Sequence, residues 1–194
     1  HGGSLADLDG DGIWEVVTSF FDGHAGSWRL EVLAAADGAV RDAVVGQALA
    51  GVADVTGDGI DEFFGQAGSR LTAFRFRGGA IEELWTLDGA QPLDFLDRER
   101  LATRGAAWST STLDLDGDAV GELLVSSVAA DPGEPQRIFA LEANEAPPFE
   151  IAAYEAPHGI RLTSPALSAG FTDPFAQLLM VRNDGYLVGF DDLL

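Results

Sequence analysis

The sequence predicts an all-β protein built from about four repeats, each a four-stranded antiparallel sheet. Three observations support this prediction. An aspartate-rich motif recurs along the chain, a short run of β-branched or aromatic residues follows each copy, and turn-forming residues separate the later runs. The fifth residue of the motif is Asp11, Asp58, Asp118 and, in a weak copy, Asp173. The 194 residues therefore divide into units of about 48 residues.

The motif is a loop whose residues we number 1 to 9 from the first aspartate. Loop one (7–15) reads Asp-Leu-Asp-Gly-Asp-Gly-Ile-Trp-Glu, and loop two (54–62) reads Asp-Val-Thr-Gly-Asp-Gly-Ile-Asp-Glu. Loop three (114–122) reads Asp-Leu-Asp-Gly-Asp-Ala-Val-Gly-Glu. Loop four (169–177) keeps only the carboxylate at position 5 and has glutamine at position 9.

Each loop is surrounded by residues that favour β-structure. Residues 16–21 read Val-Val-Thr-Ser-Phe-Phe, and their β-branched and aromatic side chains are typical of a strand. Dipeptides such as Asp22-Gly23 and Asp37-Gly38 predict the turns between strands. A short apolar segment precedes each loop, a second strand follows in every unit, and a weaker third one follows in three units. The later strands are predicted at 28–33, 71–77, 81–85, 138–141, 150–154 and 186–190.

Four-stranded repeats of this length are typical of β-propeller blades, which must stack on neighbours to bury both faces. The approximate blades are 1–50, 51–108, 109–163 and an incomplete unit, 164–194. The incomplete fourth unit favours a segment of a larger propeller. A small ring closed by strands from both ends is the alternative. The charged stretch 92–101 has helical character and is interpreted as an inserted loop.

The loops carry the residue types that bind a hard cation. Ca²⁺ takes six to eight oxygen ligands and tolerates irregular geometry, and clustered carboxylates would repel one another without a cation. Glycines within the loops allow the positive φ angles of a tight curl. Positions 1, 3, 5 and 9 supply side-chain oxygens and position 7 a backbone carbonyl, which predicts up to three Ca²⁺ ions. The predicted ligands are Asp7, Asp9, Asp11, Ile13 and Glu15; Asp54, Thr56, Asp58, Ile60 and Glu62; and Asp114, Asp116, Asp118, Val120 and Glu122.

The loops differ in their expected strength as sites. Thr56 removes one carboxylate from loop two, which predicts weaker binding there, and Ala119 replaces a glycine in loop three. Loop four has lost its ligands and is expected to be empty. An EF-hand requires a glutamate at position 12 and flanking helices, so it does not fit. Plain Asp-Gly turns without metal remain the alternative interpretation.

The three loops resemble the Asp-x-Asp-Gly-Asp-Gly-x-x-Asp/Glu calcium loops of FG-GAP/VCBS repeats, the blades of integrin-α-like propellers. The resemblance implies a Ca²⁺-stabilised propeller in a secreted, cell-surface or periplasmic protein that serves adhesion or ligand binding. The chain lacks clear Phe-Gly and Gly-Ala-Pro signatures, so it is more similar to the bacterial VCBS type.

Composition excludes several classes of function. The chain has 32 acidic and 11 basic residues, a formal net charge of −21, which disfavours nucleic acid as a partner. No apolar run approaches the roughly 18 residues that a membrane span needs, so no membrane insertion is expected. Without cysteine there is no disulfide, thiolate zinc site or cysteine nucleophile. Three Ca²⁺ ions would reduce the net charge only to −15.

The function that these observations favour is a non-enzymatic module that binds a protein or glycan, with Ca²⁺ in a structural role. The rest of a longer chain or assembly is the further expected partner. No catalytic residue is assigned. Rhamnogalacturonan lyases of one family look similar in their calcium loops, which makes a polysaccharide lyase-like enzyme one alternative, and a purely architectural domain is another. Trp14 and Trp108 are candidate ligand contacts, whereas Trp28 and Trp85 are expected in the core.

Overall fold

The computed structural model describes residues 2–92, 95–97, 108–110, 112–113, 120–127, 136–144, 147–155, 162–169, 176–182 and 187–190. Within these ranges all regular secondary structure is β, and all strand pairs are antiparallel, which confirms the all-β class. The same ranges contain no helix that could cross a membrane.

The first two sheets are four-stranded meanders in which each strand pairs with the next along the chain. Sheet one has the order β1-β2-β3-β4, and sheet two has the order β5-β6-β7-β8. Turns with positive-φ glycines join several of the strands, as at Gly78 (61°) and Gly79 (85°) between β7 and β8. The strands are β1 (Gly2–Ala6), β2 (Glu15–Asp22), β3 (Ser27–Ala34), β4 (Val40–Val45), β5 (Ala48–Ala53), β6 (Glu62–Ala67), β7 (Arg70–Arg77) and β8 (Ala80–Asp88).

Sheet three is the same meander with its first strand in two pieces, β9 and β12, both paired with β13. Between these pieces, β10 and β11 form a separate two-stranded hairpin. Sheet four has the order β16-β17-β18. The strands are β9 (Ala90–Pro92), β10 (Phe95–Asp97), β11 (Trp108–Thr110), β12 (Thr112–Leu113), β13 (Glu122–Ser127), β14 (Arg137–Glu142), β15 (Phe149–Glu155), β16 (Leu162–Ala169), β17 (Ala176–Arg182) and β18 (Leu187–Phe190).

The helical character predicted for 92–101 is wrong wherever the structure describes this stretch. Pro92 ends β9, and Phe95–Asp97 is a strand that pairs with Trp108–Thr110. Hairpin pairing supplies backbone hydrogen bonds that outweigh the local helical preference of the charged residues. Residues 93–94 and 98–101 lie outside the described residues. The sheets are also offset from the predicted blades, because 90–92 already belongs to sheet three.

Sheet two lies between sheets one and three and buries side chains on both of its faces. Phe63 packs with Val17, Leu30 and Val32 of sheet one, whereas its neighbour Phe64 packs in a second cluster with sheet three. The second cluster contains Trp85, Leu123, Val125 and Leu141. Hydrogen bonds also cross between sheets: the Ser19 hydroxyl accepts from the Leu49 amide at 2.9 Å, and the Trp85 indole donates to the Ala143 carbonyl at 3.2 Å. Sheets one, two and three therefore stack face to face.

Candidate metal centre

The strand residues that flank the four loops are paired at the same place in each sheet, on its first and second strands. In each sheet the residue before position 1 pairs with the residue at position 9. The pairs are Ala6↔Glu15, Ala53↔Glu62, Leu113↔Glu122 and Ser168↔Gln177. The degenerate fourth copy thus keeps the register of the other three, which supports its alignment by sequence.

Loop one is held in a curl by its own carboxylates. Asp7 accepts from two backbone amides: its Oδ1 lies 2.9 Å from Gly10 N, and its Oδ2 lies 3.1 Å from Gly12 N. The φ angles of these glycines are 76° and 81°, a conformation that other residues rarely adopt. Asp9 accepts from Asp11 N at 3.3 Å. These bonds turn the backbone so that the first and third positions approach the ninth.

Three carboxylates converge in loop one. Asp7, Asp9 and Glu15 each place one carboxylate oxygen so that all three lie within 4.8 Å of one another, a group that could hold a metal ion. Asp11 was also predicted as a ligand, but it lies outside this group, and its Oδ1 accepts from Ile13 N at 2.6 Å. Across the residues that the structure describes, this is the only place where three acidic or histidine ligands meet this spacing.

The glutamate at position 9 is buried in each of the three loops: the exposed fraction is 4% for Glu15, 2% for Glu62 and 0% for Glu122. Burial raises the pKa of Glu15, and the nearby Asp9 and Asp11 raise it further. Burial likewise raises the pKa of Glu62 to about 7, with a further contribution from nearby aspartates. Without a cation, these buried carboxylates carry their charge at a cost in free energy.

Loop two repeats the hydrogen bonds of loop one. Asp54 accepts from Gly57 N and Gly59 N, both at 2.8 Å, and Glu62 accepts from Val55 N at 3.0 Å, as Glu15 accepts from Leu8 N at 3.2 Å. Thr56 replaces a carboxylate, and its hydroxyl lies 3.4 Å from Glu62 Oε1. Asp58 accepts from Ile60 N at 2.9 Å. The curl is therefore preserved while the acidic group is smaller.

Loops three and four are only partly described. Asp114, Asp116 and Asp118 lie outside the described residues, so their prediction as ligands stays a prediction. Val120 and Glu122 are described, and Glu122 begins β13 at the same register as Glu15 and Glu62. In loop four, Asp173 also lies outside the described residues.

The loops pack against one another in chain order. A Cβ atom built on Gly10 (position 4 of loop one) would lie 3.1 Å from Cδ1 of Ile60 (position 7 of loop two). A Cβ atom on Gly57 (position 4 of loop two) would lie 2.9 Å from Cγ2 of Val120 (position 7 of loop three). Position 7 of each of these loops therefore contacts the position-4 glycine of the preceding loop. The Asp61 amide also donates to the Asp7 carbonyl at 3.1 Å.

A cavity of about 290 Å³ opens beside loops one and two. Its lining includes the acidic residues Asp9, Asp58 and Glu62 together with Arg75 and Arg77 of β7. The sequence did not single out these two arginines, because their alternation with phenylalanine indicated only a strand. Arg75 also forms an exposed ion pair with Glu82, at 3.0 Å.

The burial of the tryptophan side chains differs in part from the prediction. Trp85 is buried, as predicted. Trp28 is only half-buried, and its ring meets the exposed ring of Phe21 edge-on, with 5.8 Å between the centroids. Trp14 is half-buried beside loop one, and the Trp108 side chain lies outside the described residues. The β2–β3 hairpin therefore carries an aromatic pair close to solvent.

Comparison with known proteins supplies only a fold. No protein-family description and no curated protein matches the sequence. Among solved structures, the chain is similar to Bacillus licheniformis rhamnogalacturonan lyase PL11, with a TM-score of 0.56 and 19% identity over 97% of this chain and 37% of the lyase. It is also matched to the rhamnogalacturonan lyase YesW, with a TM-score of 0.47 and 17% identity over 96% of this chain and 46% of that one. This chain therefore spans less than half the length of either lyase, and its fold is similar to part of PL11.

Proposed function

We propose that this chain is an extracellular Ca²⁺-binding β-propeller module that binds a protein or a glycan without catalysing a reaction. The observation that carries the proposal is the convergence of Asp7, Asp9 and Glu15 within 4.8 Å in a loop that recurs at the same register. Ca²⁺ in this proposal is structural. The module is secreted or displayed at a cell surface, with the periplasm as a further location.

Charge and ligand type support Ca²⁺ as the ion. The converging atoms are carboxylate oxygens, which suit hard cations, and the chain has no cysteine that would favour a soft metal. The raised pKa of Glu15 indicates that its neighbours and its burial oppose its negative charge. A divalent cation in the loop would offset both effects and hold the β1–β2 hairpin in place.

The stacking of the sheets supports the propeller. Sheet two is buried on both faces by neighbouring sheets, and the two described contacts between loops, one to two and two to three, use the same two positions. Propellers are built by this kind of repeated face-to-face packing. We accordingly propose that the four sheets are consecutive blades of a propeller segment.

Ion binding can be tested with Tb³⁺, a luminescent substitute for Ca²⁺, because Trp14 occupies position 8 of loop one and can sensitise the ion. Titration of the full chain should give Tb³⁺ emission that Ca²⁺ displaces. Asp9→Asn should lower the affinity for Tb³⁺, measured from this emission, at least about tenfold, since one charged ligand is lost. Asp37→Asn is the matched control, because Asp37 only accepts from Ala39 N in an exposed turn.

Two results would contradict the ion-binding part of the proposal. One is emission that Ca²⁺ does not displace. The other is an equal effect of the Asp9 and Asp37 variants, which would indicate nonspecific attraction of cations to a chain of net charge −21.

A polysaccharide lyase-like enzyme is the second candidate, favoured by the fold similarity to part of rhamnogalacturonan lyase PL11. The cavity beside Arg75 and Arg77 offers cationic groups that an acidic polymer would require. Glycan arrays and a turnover assay on pectic polymers separate the two candidates: binding without turnover supports the module, and turnover that Arg77→Ala abolishes supports the enzyme. If the chain shows no binding and no turnover, the result favours a purely architectural domain.

A further inference from the structure

The two interfaces between described sheets follow one rule of position. In each sheet we follow one row of paired residues across the first three strands. On the first strand it contains the residue two places before position 1 of the loop, and on the second strand the residue at position 10. On the third strand it contains the residue that pairs with position 10. In sheet two this row is Val52↔Phe63↔Phe74, and it packs against sheet one. In sheet three the row is Thr112↔Leu123↔Leu141, and its two leucines pack against sheet two. The row therefore faces the preceding sheet in both cases.

In both later sheets this row is buried. The exposed fraction is 5% for Val52 and 4% for Phe74, and it is 3% for Leu141. Position 7 accompanies the row at each interface: Ile60 reaches Gly10, and Val120 reaches Gly57. Apolar side chains on the second and third strands of the row, together with a branched side chain at position 7, are thus the surface by which one sheet meets the sheet before it.

Sheet one carries the same surface with no described partner. Its row is Leu5↔Val16↔Leu33, and its position 7 is Ile13. Leu5 is 38% exposed and Ile13 is 61% exposed. The sequence keeps apolar residues at all four positions, although the described sheets leave Leu5 and Ile13 exposed and Val16 and Leu33 only half-buried. Exposure of apolar side chains of this size to water costs free energy, so a surface that repeats an interface motif is expected to be covered.

We propose that this face of sheet one, defined by Leu5, Ile13, Val16 and Leu33, binds a further sheet of the same kind whose loop presents glycine at position 4. This inference rests on the proposed propeller and specifies which unit completes its first interface. The glycine follows from these two interfaces: a Cβ atom on Gly57 would lie 2.9 Å from Val120 and one on Gly10 would lie 3.1 Å from Ile60, so either would crowd the side chain at position 7.

The chain's own fourth unit does not meet this requirement. The register Ser168↔Gln177 places Thr172 at position 4 of loop four by residue count. By sequence, a threonine brings a Cβ atom and two further heavy atoms to a position that is glycine at both described interfaces. The partner is therefore a repeat outside these four units, and closure of a small ring by the fourth unit is disfavoured.

The experiment uses cysteine reactivity, because the chain contains no cysteine and one introduced thiol reports a single position. Two proteins are compared. One is the full chain, and the other is an extended chain in which a copy of residues 1–47 is added ahead of His1. Both carry Ile13→Cys in the original unit. The repeat brings loop one's own Gly10 as the position-4 glycine. Ala25→Cys, in the exposed β2–β3 turn, is the matched control in both chains.

In the full chain both thiols should react at similar rates. In an extended chain that is monomeric and unfolds cooperatively, the thiol at position 13 should react at least about tenfold more slowly, because it reacts only after local opening. Gly10→Ala in the added unit alone should restore the fast rate. Protection that fails to develop, or that survives this alanine, overturns the inference.

A concentration-dependent loss of reactivity in the unextended chain would also overturn it, since a second copy would then cover the face. Thiol protection is measured both with Ca²⁺ and with chelator. Failure of the proposed sheet contact is thereby distinguished from failure of Ca²⁺ binding, which the Tb³⁺ titration reports separately.

Discussion

At the residue scale, the glutamate at position 9 links the strand to the loop. Its backbone pairs with the preceding strand, its side chain is buried, and in loops one and two its Oε2 accepts from the amide at position 2. The sequence predicted this residue as a ligand from its type and spacing. Its burial could not be predicted in this way, because burial depends on the neighbouring sheet. Asp11 likewise has the spacing of a ligand, and its prediction as one stays a prediction; the hydrogen bond that its Oδ1 accepts from Ile13 N could not be predicted from spacing.

The buried glutamate gives the metal-free protein a characteristic pH dependence. Burial raises the pKa of Glu62 to about 7 from its usual 4.5, so folding favours the protonated form. The stability that this group contributes is complete below pH 4.5 and is lost as the pH rises through about 7. Urea denaturation in chelator should therefore show that wild type loses stability between about pH 5 and about pH 8.

Glu62→Gln is the control, since it keeps the shape and removes the titration. It should flatten the pH dependence over the same range, and a saturating concentration of Ca²⁺ should also flatten it. A wild-type protein that becomes more stable between these pH values, or a glutamine variant with an unchanged slope, would show that Glu62 is not the group responsible.

At the element scale, the position of each loop at the end of the first strand was predictable, because strand-forming residues follow it directly. The strands predicted after loops one, two and three are confirmed as β2, β6 and β13. The β10–β11 hairpin was not predictable, because Phe95–Asp97 becomes a strand only by pairing with Trp108–Thr110. The stacking of loops was also not visible, since sequence spacing does not show that Ile60 meets Gly10.

Loop stacking predicts that two glycines of one loop differ in their tolerance of alanine. Gly57 has φ of 71° and Gly59 has φ of 84°, so either substitution should cost about 1–2 kcal/mol in backbone strain. Only Gly57 faces a neighbour, Val120, so Gly57→Ala should cost about 1–3 kcal/mol more in the free energy of unfolding. Chemical denaturation of both variants measures this difference.

The double variant Gly57→Ala/Val120→Ala separates contact from strain. Shortening Val120 removes the crowding atoms, so the extra cost of Gly57→Ala should largely disappear in that background. Equal costs for the two glycine substitutions in the wild-type background would mean that loops two and three do not touch in solution.

At the scale of the whole molecule, sheets one, two and three form a stack in which neighbouring loops touch. The consecutive contacts from loop one to loop two and from loop two to loop three follow the order of the sheets. The acidic residues of loops one and two are thereby brought into one region of a chain with net charge −21. Repetition of the motif predicted the four sheets that carry a copy of it, whereas the faces that these sheets bury emerged only from the packed structure.

This arrangement predicts that removal of Ca²⁺ destabilises the stack as a unit. An ion that binds only the folded protein stabilises it by about 2.7 kcal/mol at a hundred times its dissociation constant. For a chain of this size, each such site should raise the Tm by about 5–10 °C. Calorimetry with Ca²⁺ and with excess chelator measures the shift. NaCl at matched ionic strength is the control, because general screening of the negative charge would stabilise the fold without a site. A Tm that NaCl restores as fully as Ca²⁺, or that chelator leaves unmoved, would mean that the loops hold their curl by hydrogen bonds alone.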